Sequence, residues 1–294
     1  MRYYPNWLAH HGRKGQRWYV KNGPPYPLNS VGNAKFKINN DFTELGKRSK
    51  ARIVNNKDGS KTFKKGFIFN RYDKNREKNP NADDALYVTY GPEDLARYMK
   101  EFGGTLVKDI FRGKRYVQHL EATESIKVPS MEQMIVETAK FVSSFDKPLS
   151  KLYSEDNVEA MPSIPGGAPI SNEFVKSQAL MAKNDPNSEA SFEFAYWFSH
   201  PLGANPSWAK EYYDHFRKAG FDAVLDVNDI YEGYGEAPMI VFNTDKVKLN
   251  ESVVMTHDLR KKGKEFLETI DYFDYDEILK RFNIREAQID FGTF

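Results

Sequence analysis

The chain has 294 residues, of which 40% are apolar and 14% aromatic, enough to bury the core of one large or two modest domains. It contains no cysteine, which excludes disulfides, thiolate zinc sites and cysteine nucleophiles. No run approaches the roughly 18 apolar residues of a membrane span, and the N-terminus lacks the apolar region of a secretory signal. We therefore expect no membrane partner and no secretion by a signal peptide.

Charge is distributed unevenly along the chain. Residues 1–65 contain fifteen Lys or Arg and three Asp or Glu, a net charge of +12, whereas the remaining residues have a net charge of −10. Residues 1–30 show neither helical nor strand periodicity and residues 31–65 stay basic, which predicts a basic, largely extended arm over 1–61. Such an arm is typical of contact with an assembly, an acidic partner or nucleic acid, the last being nonspecific and salt-sensitive. A solvated leader without a partner explains the same charge.

The segment GFIFNRYDKNREKNPNADDALYVTYGPEDLARY is the stretch around which the predicted elements are arranged. It predicts a strand ending at Arg71, a charged loop, and a second strand ending at Thr89-Tyr90. A helix follows from Pro92, whose fixed φ suits the first helical position, and Gly103-Gly104 are expected to stop it. A hairpin that turns at Asp58-Gly59 is expected to lead into this segment.

The middle of the chain predicts a long strand over roughly 114–128 and then a helix. Ser130 and Gln133 have the spacing of a capping box, so this helix should begin directly after Ser130. Residues 146–170 are rich in Pro and Gly and predict an exposed connection.

The second half of the chain predicts helices and strands in succession. Helices are expected from residues 171, 188 and 205, and buried strands over 221–227 and 238–243. The sequence is therefore expected to be α+β, divided into a basic arm over 1–61, a main domain over 62–250 and a helical C-terminal tail over 251–294.

The arm contains the string HHGRKGQRW, which resembles a short HHGxKGQ(K/R)W element near one end of many tailed-phage and prophage proteins, several of them virion-associated. The resemblance implies a peptide that binds phage structural proteins, with Trp18 as an anchor. The matching residues are His10, His11, Gly12, Lys14, Gly15, Gln16, Arg17 and Trp18. Unremarkable surface histidines are the alternative for the His-His pair, and no metal site is expected.

The strand-loop-strand-helix segment, together with GEAPMIVFN late in the chain, resembles the core of an ADP-ribosyltransferase. Members of this family have an Arg at the end of an early strand, a Ser/Thr-rich second strand and a Glu at the head of a late strand. The resemblance implies a split mixed or antiparallel sheet with flanking helices. It also implies that NAD is the substrate of a glycosyl transfer in which nicotinamide leaves.

The family pattern assigns roles to individual residues of this chain. Arg71 would bind the NAD pyrophosphate, with Arg76 in the following loop as a competitor. Thr89, Tyr90 and Tyr98 would shape the nicotinamide pocket, and core packing is the alternative for the two tyrosines. An ordinary solvated or paired arginine at a strand end is the alternative for Arg71.

Glu236 matches the catalytic carboxylate, which would hold the ribose 2′-OH and stabilise the developing oxocarbenium ion. Where many family members have a second Glu or Gln two residues earlier, this chain has Tyr234, with Glu232 two residues before that. This departure leaves the acceptor open. Both glutamates also fit a polar loop without a catalytic role.

Two hypotheses follow. The first is a virion-associated phage enzyme that transfers ADP-ribose to a host protein, located in the virion or the host bacterial cytoplasm. The alternative is a non-enzymatic, head-associated structural protein that acts through its N-terminal arm.

Overall fold

The computed structural model describes seven stretches of the chain. They are residues 52–89, 91–103, 115–145, 172–204, 206–230, 238–269 and 275–285. The predicted connection 146–170 and nearly all of the predicted arm lie outside the described residues.

The described residues form short strands and helices that alternate along the chain. The strands are β1 (Ile53–Asn55), β2 (Lys61–Phe63), β3 (Ile68–Asp73), β4 (Leu86–Val88), β5 (Tyr116–Ala122), β6 (Ile126–Val128), β7 (Ala223–Leu225), β8 (Met239–Val241) and β9 (Val247–Val254). The helices are α1 (Pro92–Gly103), α2 (Met131–Ser144), α3 (Asn172–Asn184), α4 (Glu189–Ala204), α5 (Pro206–Lys218), α6 (Val227–Ile230), α7 (His257–Leu267) and α8 (Tyr275–Arg281). The predicted α+β character is confirmed.

The named strands form three antiparallel sheets of three strands each. Their orders are β1-β2-β6, β3-β5-β9 and β4-β8-β7. The second and third sheets meet at an isolated antiparallel bridge between Asn70 and Thr89. The strand predicted over 114–128 is two strands, because the chain turns after Ala122 and β6 pairs with β2 in a different sheet.

Two local predictions are confirmed by the backbone. The hairpin between β1 and β2 turns at Gly59, whose φ of +82° is in the left-handed region that favours glycine. Helix α2 begins with a complete capping box. The Ser130 hydroxyl accepts from the Gln133 N–H at 3.2 Å, and the Gln133 side chain accepts from the Ser130 N–H at 2.9 Å.

The main hydrophobic core lies among the strands and helices α2 to α6. It contains the aromatic side chains of Phe192, Phe194 and Phe198 in α4, all of them buried. None of the described helices is both long and apolar enough to cross a bilayer.

A second, smaller core lies on one face of the β3-β5-β9 sheet. Helices α1 and α7 pack there, and Leu95, Val117 and Leu259 are among its buried residues. Residues 251–254 lie in β9, which pairs with β5, and α7 contributes to this second core. The start of the predicted C-terminal tail is therefore part of the folded body.

Candidate functional site

Strands β4 and β8 bring two distant parts of the chain to one edge of a sheet. They are antiparallel, with Val88 opposite Met239, so the end of β4 lies beside the start of β8. The Asp226 N–H, after β7, donates to the Pro238 carbonyl at 2.8 Å and fixes the start of β8. Thr89 then connects this edge to β3. Residues from three separate parts of the sequence therefore meet where β4 ends.

Thr89 is held at this junction by its backbone and its hydroxyl. Thr89 and Asn70 exchange two backbone hydrogen bonds of 2.8 Å, and the Thr89 hydroxyl donates to the Asn70 carbonyl at 3.4 Å. The Thr89 side chain is buried. Directly opposed residues in a hydrogen-bonded antiparallel pair point to the same face, so Asn70 shares the face of Thr89.

Asn70 is paired in turn with a buried histidine on the neighbouring strand. The Nδ1 atom of His119 lies 2.9 Å from Oδ1 of Asn70, and both side chains are buried. Burial lowers the pKa of His119 to about 4, so the ring is neutral at physiological pH and Nδ1–H donates to the amide oxygen. Asn70 and His119 thus form a neutral polar pair beside Thr89.

A second buried polar group begins in the first turn of α1. Asp94 has no exposed surface, and neither carboxyl oxygen has a hydrogen-bond partner among the described residues. Burial raises the pKa of Asp94 to about 8, with Arg97 acting in the opposite direction. At neutral pH the Asp94 carboxyl is therefore mostly protonated.

Arg97 lies one turn after Asp94 and is also buried. Its Nη1 donates to the Asp229 carbonyl at 3.1 Å, and its Nη2 lies 3.6 Å from Oδ2 of Asp229. Asp229 belongs to α6, which follows β7. Arg97 therefore joins α1, which follows the Thr89 strand, to the helix that precedes β8.

Arg71 lies on β3 next to Asn70 but is engaged elsewhere. Its guanidinium contacts the Asp73 carboxylate at 2.5 Å and donates to the carbonyl of Asn79 and to Oδ1 of Asn81, both at 3.0 Å. Burial lowers the pKa of Arg71, and the Asp73 carboxylate opposes that shift. Side chains alternate along a strand, so Arg71 points to the face opposite Asn70 and Thr89. The structure does not bring the side chains of Arg71 and Thr89 together.

The contacts of Arg71 hold the loop that connects β3 and β4. Asp83 in the same loop accepts hydrogen bonds from the hydroxyls of Tyr87 and Tyr213 at 2.9 Å and 3.0 Å. Burial raises the pKa of both tyrosines well above the usual value, so both hydroxyls are donors. Arg76, in the middle of the loop, is exposed.

Several predicted site residues cannot be placed. Tyr90, Glu232, Glu236 and the segment from His10 to Trp18 lie outside the described residues. The backbone of Tyr98 belongs to α1, but its side chain also lies outside them.

Sequence reasoning did not single out the buried polar residues around Thr89. His119 is one histidine within an apolar strand, and nothing in its neighbours distinguishes it. Acidic residues in the first turn of a helix commonly interact with the positive end of the helix dipole, so Asp94 does not stand out in the sequence. The spacing of Asp94 and Arg97, three positions apart beside the apolar face of α1, was the available signal.

Comparison with known proteins adds no assignment. No protein-family model, no curated protein sequence and no solved structure matches this chain. Within the part of the chain that the structure describes, no cluster of three or more His, Asp or Glu side chains is arranged to hold a metal ion.

Proposed function

We propose that this protein is a virion-associated phage enzyme of the ADP-ribosyltransferase type, which uses NAD as substrate and modifies a host protein. One observation carries the proposal. Three strands that are far apart in the sequence are neighbours in the structure. They are the Arg71 strand, the Thr89 strand and the strand that follows Glu236. Arg71 and Thr89 are separated by 18 positions, and Thr89 and the start of β8 by about 150.

The strand arrangement supports this function in two ways. Among the described residues, the Asn70–Thr89 bridge alone joins the β3-β5-β9 sheet to the β4-β8-β7 sheet, which fits the split sheet that the family resemblance implies. Glu236 precedes Pro238 by two residues, and two residues span at most about 7 Å. The start of β8, which follows Glu236 in the sequence, lies beside the end of β4.

The chemistry needs few groups from the protein. The Glu236 carboxylate would hold the ribose 2′-OH and stabilise the oxocarbenium ion as the bond between ribose and nicotinamide breaks. Nicotinamide leaves as a neutral molecule, and an acceptor nucleophile loses a proton as it bonds to the ribose carbon. Thr89, Tyr90 and Tyr98 would shape the nicotinamide pocket.

The cation for the pyrophosphate has two candidates. Arg71 is the family match, but it would have to exchange Asp73 for a phosphate. Arg76 is exposed on the loop that Arg71 holds in place. We therefore assign the phosphate contact to Arg76 and a loop-holding role to Arg71.

The test is nicotinamide release from NAD by the purified protein. Wild type should release nicotinamide, and Glu236→Gln, which keeps the shape but removes the charge, should reduce the rate by about a hundredfold or more. Glu132→Gln, an exposed carboxylate at the start of α2, is the matched control and should retain the wild-type rate. If wild type releases no nicotinamide and NAD does not raise its melting temperature, the proposal that the protein is an enzyme is refuted.

A non-enzymatic virion protein is the second candidate. The observation that favours it is the engagement of Arg71, the residue that matches the family's phosphate-binding position, in buried contacts with Asp73 and Asn81. A structural protein would lose incorporation into virions when Trp18 is replaced by Ala and would be indifferent to Glu236→Gln.

A further inference from the structure

We propose that Arg97 is a positioning residue that fixes helix α6, the last described element before Glu232 and Glu236 in the sequence, relative to helix α1. The inference rests on the proposed function, because the location of α6 matters for activity only if the residues that follow it take part in the reaction. The contacts that support it all lie between described residues.

The first step concerns what holds α6 in place. This helix has four residues, Val227–Ile230, which is too short to be stable by itself. Val227 and Ile230 are buried in the main core and fix one side of the helix. The Asp229 N–H donates to the Asp226 carbonyl at 3.2 Å, and the Asp226 N–H donates to Pro238, so the base of α6 is tied to β8.

The second step concerns the other side of α6. There the guanidinium of Arg97 contacts both the carbonyl and the carboxylate of Asp229. A planar guanidinium can bind two oxygen atoms at once, which fixes orientation as well as distance. The Asp229 side chain is 27% exposed, whereas that of Arg97 is 2% exposed, so α1 supplies the rigid, buried half of the contact.

The third step concerns Asp94, the nearest potential competitor for Arg97. Asp94 is buried one turn away, but no hydrogen bond reaches either of its carboxyl oxygens within the described chain. The guanidinium is thus directed to α6 and not to the acidic residue of its own helix. A buried arginine that contacts the backbone of a short helix on another element is suited to positioning.

The fourth step is the location of this contact in the chain. Helix α1 starts three residues after Thr89, and α6 is the last described element before residues 231–237, which include Glu232 and Glu236. Arg97 therefore connects the helix that follows Thr89 to the helix that precedes Glu232 and Glu236 in the sequence. It would act through α6 without touching NAD.

The experiment compares Arg97→Met and Arg97→Lys with wild type and with Arg217→Met. Arg217 is a matched control because its side chain donates to the Phe242 carbonyl at 2.9 Å, at the other end of β8. Hydrogen exchange of the amides of Val227–Ile230 is measured together with kcat and KM for nicotinamide release. The first readout does not depend on activity.

We expect Arg97→Met to speed exchange at these amides by about tenfold and to lower kcat by about tenfold, with KM changed less than about twofold. Arg97→Lys should be intermediate, because an ammonium group retains the charge but not the two-oxygen geometry. Arg217→Met should leave exchange at α6 and kcat at wild-type values. Unchanged exchange in Arg97→Met would overturn the proposal.

A uniform rise in exchange across the whole protein would mean that Arg97→Met is destabilised globally. In that case Asp229→Asn is the variant that tests the proposal. It removes the carboxylate charge that faces Arg97, and the Asp229 side chain is the partly exposed member of the pair. Faster exchange confined to α6 in this variant would support the proposal, and wild-type exchange would refute it. If wild type releases no nicotinamide, the proposed function fails and the catalytic role of Arg97 fails with it. The exchange data would then still decide whether Arg97 holds α6.

Discussion

The carboxyl group of Asp94 is buried one helical turn before the guanidinium of Arg97, and no hydrogen bond joins the two. Arg97 instead contacts Asp229 on α6. The consequence is a carboxyl group that the folded protein keeps protonated near neutral pH, because burial raises the pKa of Asp94 to about 8. A buried carboxyl without a hydrogen-bond partner lowers the stability of the fold.

The first prediction concerns the pH dependence that Asp94 produces. In the unfolded chain Asp94 ionises above a pKa of 3.8, but in the folded protein only above about 8. Between these values the unfolded state binds fewer protons, so this group makes stability fall as pH rises. Asp94→Asn should therefore gain stability over wild type by about 3–4 kcal/mol between pH 5 and pH 8. Urea unfolding of both proteins at these two pH values is the measurement, and a constant difference would contradict it.

The second prediction concerns His119, whose effect has the opposite sign. The unfolded histidine takes up a proton below a pKa of 6.5, whereas the folded protein does so only below about 4. Between these values the unfolded state binds more protons, so this group makes stability fall as pH falls. From pH 7 to pH 4.5, wild type should lose about 2–3 kcal/mol relative to His119→Gln, which has no group that titrates. Parallel stability curves would show that the ring is accessible to protons.

Much of the fold is predictable from the sequence where the determinants are local. The capping box of Ser130 and Gln133 and the turn at Gly59 depend on neighbouring residues, so the sequence contains the whole interaction. The strand predicted over 114–128 shows the limit. Its two halves have the same strand character, and only their pairing with β9 and β2 reveals that they belong to different sheets.

The candidate site was less predictable because its contacts are long-range. Arg97 contacts Asp229 across 132 positions, and His119 contacts Asn70 across 49. The local sequence pattern around each residue does not predict contacts over such distances in the sequence. Arg71 illustrates a related limit, since its position at the end of an apolar run indicates a phosphate ligand and a buried ion pair equally well. The strand register puts Asn70 and not Arg71 beside Thr89, and the phosphate role of Arg71 stays a prediction.

The third prediction concerns the cap of α2. Ser130→Ala removes the acceptor of the Gln133 N–H and should lower the free energy of unfolding by about 1 kcal/mol. Ser177→Ala in α3 is the matched control, because that hydroxyl is exposed and donates only to the Phe174 carbonyl of its own helix. The control should change stability by less than about 0.5 kcal/mol. Equal effects of the two substitutions in urea unfolding would show that the capping box adds nothing.

The fourth prediction separates the two arginines near the proposed phosphate site. Arg71→Met leaves the buried Asp73 carboxylate without its partner, so it should lower the free energy of unfolding by about 3 kcal/mol or more. Arg76 is exposed, so Arg76→Met should change stability by less than about 0.5 kcal/mol. If Arg76 contacts the pyrophosphate, Arg76→Met should instead raise the Kd for NAD by about tenfold, because a charge-assisted hydrogen bond is lost.

Calorimetric titration with NAD and urea unfolding of both variants measure the two effects independently. Arg71→Met should weaken NAD binding less than Arg76→Met does at temperatures where it remains folded, since the Arg71 contacts to Asn79 and Asn81 hold the loop and not the ligand. The reverse result, with affinity lost in folded Arg71→Met and retained in Arg76→Met, would return the phosphate contact to Arg71. Asp73 would then have to release the guanidinium when NAD binds.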